Sequence, residues 1–207
     1  MNTKKLTRGV MTAPLLRLFL LALFFFGGVL LGQVLAGWVP DETGVELQQY
    51  LEDYIRLGGE PSAWTAISAA VQYFRYPLLA FALGFASIGV VLLPLSAAVF
   101  GFFLSFAACC FTAAFGPGGV LLALAAMGLR CLVTVPCYFY VALAALDTAV
   151  GLAVVSFGSG RRTAPVVYGL AYWKRLGVCC VALAVGVCGE LTLTPALLRL
   201  ALERLFS

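Results

Sequence analysis

Residues 77–115 read PLLAFALGFASIGVVLLPLSAAVFGFFLSFAACCFTAAF, 39 positions without one charged side chain. As a single straight helix they would extend about 58 Å, twice the roughly 30 Å hydrocarbon layer of a bilayer. The stretch therefore has to fold back on itself, and Gly89 with Pro94 marks the expected turn. Two short spans or a re-entrant hairpin both satisfy that requirement. The rest of the chain is of the same kind. Of its 207 residues 63% are apolar and 11% charged, and the mean hydropathy is +1.04. Soluble domains run at roughly 45–50% apolar with about a quarter charged. Such a chain cannot cover a water-facing surface with polar side chains, which excludes soluble, disordered and collagen-like proteins. The fold class expected is an all-α polytopic integral membrane bundle.

Working outward from this stretch, residues 1–17 carry Lys4, Lys5, Arg8 and Arg17 and no acid. Residues 18–39 follow with Gln33 as their only strongly polar side chain. A small-residue site near Val34 and Ala36 resembles signal-peptide cleavage, but the apolar run exceeds the ~7–15 residues of a signal sequence. It reads as the first transmembrane helix, and the bundle as residues 18–198. Residues 40–75 hold six acids against Arg56 and Arg75 and read as an external, water-facing segment. Within it Leu47, Tyr50, Leu51, Tyr54 and Ile55 fall on one face of an amphipathic helix. That face lies on the membrane or bundle surface, or docks a partner. Gly58, Gly59 and Pro61 end this helix, and a second one begins over residues 63–76.

Beyond the opening stretch, Gly116-Pro117-Gly118-Gly119 is a strong breaker. An apolar run from Val120 to Leu146 carries Arg130 and Pro136 and fades over residues 147–157. Residues 158–175, with Arg161, Arg162, Lys174 and Arg175, form a basic loop; residues 176–198 make the last span, and 199–207 a tail. Five spans result. The basic segments fall on one side and the acidic one on the other, so the positive-inside bias predicts a cytoplasmic N-terminus and an external C-terminus.

The chemistry such a bundle can carry is limited by its side chains. With no histidine, His-Glu-x-x-His zinc sites and Ser-His dyads are impossible. There is no Gly-x-Gly-Asp motif and no P-loop. Neither enzymatic activity, nor a cofactor, nor a metal is expected. The net charge of +4 is too small to argue for nucleic acid. The seven cysteines all lie in apolar stretches, without Cys-x-x-Cys spacing, and read as packing residues. Polar residues at membrane depth remain. Arg130 lies about 16 Å from one end of its span and Glu190 about 21 Å from the inner end of its own. A lone arginine at mid-membrane costs at least ~2.5–3.5 kcal/mol, so an Arg130–Glu190 pair is expected, with Gln33 nearby. The pair either locks helix order or lines a polar path for a solute or proton. Gly28 with Gly32, Gly101 with Ser105, and Ala182 with Gly186 permit close helix contact, inside the bundle or with another protein's single helix.

One further pattern runs from Leu83 to Cys137: Leu83-Gly84, Ser87-Ile88-Gly89, Gly101 with Phe106, Gly116 and Gly119, then Val135-Pro136-Cys137. In order and spacing it resembles the stage II sporulation protein M family. The basic N-terminus, the Gly-rich stretch at residues 26–32 and the tyrosine-bearing helix LQQYL at 47–51 fit as well. The chain departs from the family in having Leu129-Arg130 where many relatives carry Pro-His or a similar polar pair. Thr134 stands where wider relatives often carry glutamate, and Ser105 where a second glycine would be. The resemblance implies a non-enzymatic scaffold of the engulfment machinery in the mother-cell membrane around the forespore. Its partners would be the membrane-anchored peptidoglycan-degrading enzymes called stage II sporulation proteins D and P. A small-solute or ion transporter or channel, with Arg130, Glu190 and Asp147 lining a path, is the competing expectation.

Overall fold

The computed structural model describes residues 3–38, 63–116, 119–157 and 169–206. The amphipathic face of Leu47, Tyr50, Leu51, Tyr54 and Ile55 lies outside the described residues, as do residues 158–168 of the basic loop. Among the described residues there are five helices and no strand: α1 (Thr3–Ala36), α2 (Ala63–Leu83), α3 (Gly89–Phe115), α4 (Gly119–Phe157) and α5 (Leu170–Phe206). Each contains a segment long and apolar enough to cross a membrane: Leu15–Ala36, Ala66–Leu83, Gly89–Ala113, Met127–Ser156 and Leu170–Thr194. Most of their apolar side chains point outward, with Leu132, Leu170 and Val185 among the exposed ones. A bundle bathed in hydrocarbon can leave them there; one in water would bury them. The protein is an all-α polytopic bundle.

Helix α4 is central and touches the other four. Its buried residues Tyr138, Val141, Ala142, Ala145, Leu146 and Ala149 recur at helical spacing and form one face. Leu21 and Phe25 of α1, Tyr73 and Ala80 of α2, Leu93, Ala97 and Phe100 of α3, and Cys179 and Leu183 of α5 close around it. Within this core Ser96 Oγ donates to the Leu93 carbonyl at 2.8 Å and lies 2.8 Å from Tyr138 Oη. Tyr138 Oη also lies 3.3 Å from the Leu93 carbonyl.

Helix boundaries depart from the sequence expectation at three places. First, α2 runs unbroken through Pro77, so the second span begins inside the segment expected to face water, and Gln72 and Arg75 belong to it. A helical proline removes one ladder bond, but Ala69, Tyr73, Pro77 and Ala80 share a buried face on both sides of it. Second, the chain reverses at residues 84–88, while Pro94 lies inside α3. The carbonyls freed where α2 ends find side-chain donors: Tyr172 Oη bonds the Phe81 carbonyl at 2.9 Å, and Thr148 Oγ1 the Gly84 carbonyl at 3.1 Å. A Cβ on Gly84 would collide with the Tyr172 hydroxyl and press on Ala145. Third, α4 does not fade at Asp147 but continues to Phe157, and α5 begins at Leu170, taking in Lys174 and Arg175. Gly116 ends α3 at φ 60°, a left-handed geometry that glycine adopts without strain.

The small-residue pairs are spent inside the bundle. A Cβ on Gly28 would fall on the Ala98 carbonyl, one on Gly101 on the Phe25 carbonyl, and one on Gly32 within 2.6 Å of the Phe102 carbonyl oxygen. Buried Ser105 faces Gly32. These positions draw α1 and α3 together backbone to backbone and leave no groove there for another protein's helix. Gly28→Leu or Gly101→Leu should therefore cost more than the ~1–3 kcal/mol of ordinary overpacking, because backbone cannot step aside. The level of folded protein in membranes, read by immunoblot, should fall several-fold. Gly27→Leu, whose Cβ direction is open, should leave it unchanged.

Candidate functional site

Helices α4 and α5 run antiparallel in a fixed register. Cys179 Sγ meets the Cys137 carbonyl at 3.7 Å, and the Arg175 guanidinium lies 5.3 Å from the Tyr140 ring centre. Continued toward the N-terminal end of α4, the register brings Glu190 beside Arg130. Gly186 makes this approach possible, since a Cβ there would stand 2.7 Å from Tyr73 Cε1 and 3.2 Å from Val133. One turn further along α5, Glu190 is 9% exposed.

The Arg130 fork is used on both prongs. Nε donates to Glu190 Oε2 at 3.2 Å and Nη2 to Glu190 Oε1, a bidentate ion pair. Nη1 donates to Gln72 Oε1 on α2, and the guanidinium lies 5.7 Å from the Tyr73 ring centre. One arginine thus binds α2, α4 and α5. Gln33, expected beside the pair, is exposed on α1 and takes no part. Gln72 fills that place. It escaped the sequence reading because the acidic stretch before it made all of residues 40–75 look aqueous. The signal was present: between Ala63 and Leu83 the only charge is Arg75.

A second ion pair joins Arg17 of α1 to Asp147 of α4, with side chains 31% and 50% exposed. Asp147 and Arg130 are 17 residues apart on one helix, hence about 26 Å along its axis. That separation is close to the ~30 Å hydrocarbon thickness. Arg130 stands three residues inside the Met127–Ser156 apolar segment and Glu190 four residues before the end of Leu170–Thr194, so this pair lies toward one end of the apolar segments. At the Arg17–Asp147 end, Ser87 and Ser156 hydroxyls meet at 3.0 Å, and Phe81 stacks on Tyr172 at 4.8 Å.

The other family-pattern positions are packing points. Gly89 sits against the Leu83 carbonyl and Ala149, Gly119 against Phe111 and Thr112, and Pro136 lies within α4. All seven cysteines are free thiols. Beside Arg130 lies a half-open cavity of about 340 Å³ between α2, α3 and α4, which Gln72, Arg75 and Thr134 help to line. The arginines beside this cavity can bind an anion, and Arg130 clamps helices together.

The chain matches no protein-family model, no curated protein and no solved structure. The class of protein that fold and site define is a multi-pass helical membrane protein braced by ion pairs.

Arg130→Leu or Glu190→Leu leaves one charge buried without its partner, a loss of about 3–5 kcal/mol, and should deplete the protein from membranes. The double leucine variant, and the charge swap Arg130→Glu with Glu190→Arg, should restore it. Asp147→Asn breaks a far more exposed pair worth ~0–1 kcal/mol and should be tolerated. Equal loss in the single and paired variants would show that the two residues do not act as a pair.

Proposed function

We propose that this protein is a non-enzymatic membrane scaffold. The observation that carries the reading is that both carboxylates in the described spans, Glu190 and Asp147, are held by arginines from other helices. Each of these acids has an arginine of another helix as its partner, so both serve to join helices. The outward-facing residues suit docking of single-helix partners, since the small-residue grooves are occupied. Phe19, Leu23, Phe26 and Leu30 on α1, and Val178, Val181 and Val185 on α5, are all exposed.

The particular role we propose is in engulfment during sporulation, anchoring peptidoglycan-degrading enzymes of the stage II sporulation D and P kinds at the septal membrane. It rests on the Leu83–Cys137 pattern, together with an N-terminus proposed to be cytoplasmic and a C-terminus proposed to be external. A transporter or channel is the second reading, favoured by the half-open cavity beside Arg130.

Deleting the gene in its host and staining membranes after sporulation is induced should yield septa that form but fail to curve around the forespore. Normal engulfment would overturn the role. The Arg130→Leu, Glu190→Leu double variant separates the two classes. A scaffold that stays abundant should still support engulfment, whereas a transporter would be abundant but inactive.

A further inference from the structure

The cavity between α2, α3 and α4 has a charge that its own walls do not balance. Arg130 on one wall is neutralised by Glu190. Arg75 on another is exposed, and no carboxylate among the described residues pairs with it; its guanidinium lies 5.1 Å from the Tyr76 ring centre. A net positive charge thus faces a space of about 340 Å³, within the ~300–1,000 Å³ range of small-molecule sites.

Further observations specify what would fill it. Thr134, only 3% exposed, closes the cavity on the α4 side. The remaining wall is apolar, with Phe100, Phe103 and Leu104 of α3 along it. Exposed Gln72, Arg75 and Phe103 make the cavity open sideways, toward whatever surrounds the bundle. Depth supplies the last constraint. Arg130 and Glu190 stand three and four residues from the ends of their apolar segments, the level at which lipid headgroups begin.

We propose that this cavity is a binding site for an anionic glycerophospholipid. Its phosphate would sit on Arg75, and an acyl chain would lie along Phe100, Phe103 and Leu104. A free inorganic anion would use the arginine and leave the apolar wall bare. The site depends only on the membrane setting of the bundle and stands whether the protein is a scaffold or a transporter.

The test uses the full chain, purified in detergent and offered phosphatidylglycerol or phosphatidylcholine of matched chain length, with bound lipid counted by native mass spectrometry. The wild type should retain phosphatidylglycerol about fivefold better, the preference one basic residue confers near an anionic headgroup. Arg75→Gln should abolish that preference, while Lys174→Gln, at an exposed cation elsewhere, should keep it. Ala107→Phe, which fills the cavity and leaves both arginines in place, should reduce retention even if the Arg75 variant fails to fold. Equal retention of the two lipids by the wild type, or a preference that survives Arg75→Gln, would overturn the proposal. So would complete displacement of phosphatidylglycerol by millimolar inorganic phosphate, which marks a simple anion site.

Discussion

The bundle depends on one face of one helix. Along α4, Ala142, Ala145 and Ala149 present only methyl groups to their neighbours, and Tyr138, Val141 and Leu146 fill the spaces between. In hydrocarbon there is no solvent to squeeze helices together, so association rests on close packing and on polar contacts. The alanine face supplies the first: Ala145 lies against Gly84 and Ala149 against Gly89, which holds both ends of the α2–α3 turn on the central helix. The same helix supplies the second, since Arg130 and Asp147 stand toward its two ends and each reaches a different partner helix.

Much of this was legible in the sequence, and for a physical reason. The number of spans follows from apolar length against bilayer thickness, and a charge within a span implies a countercharge at matching depth. Those two rules suffice to name five helices and to put Arg130 opposite Glu190. What they miss is lateral position. Gln33 and Gln72 fall at similar depth, and only the packing of α1 on α3 decides that Gln72 is the one to reach Arg130. The α2–α3 turn was misplaced for a related reason. Its carbonyls are satisfied by Thr148 and Tyr172, residues 64 and 91 positions away from their acceptors, and nothing local announces them. Pro94 looked like a breaker because a proline in water often is one. In a bundle, neighbouring helices make up for the lost bond.

The distribution of small residues also redirects where function can reside. With Gly28, Gly32, Gly101 and Gly186 each pressed against another element of the same chain, the interior is committed to its own assembly. What remains for the outside is an apolar belt on α1 and α5 and a cationic recess between α2, α3 and α4. Partners that approach within the membrane meet valines and phenylalanines; polar groups meet Arg75. The protein has one rigid middle and two chemically distinct sides.

The order in which the charges are made gives the Arg130–Glu190 pair a consequence for biogenesis. A ribosome adds roughly 5–20 residues per second, so Glu190, 60 residues downstream of Arg130, follows it by about 3–12 s. Asp147 has no such delay, because Arg17 is already made when it appears. For those seconds Arg130 has Gln72 but no countercharge, and α4 is an imperfect membrane segment. Lodging it is then a task for the insertion machinery or for lipid headgroups. The last helix closes the bundle twice over, with Tyr172 capping α2 and Glu190 neutralising α4. A ribosome that stalls before α5 leaves behind a product with an unmatched arginine and a bare helix end, both of which membrane quality-control proteases can recognise.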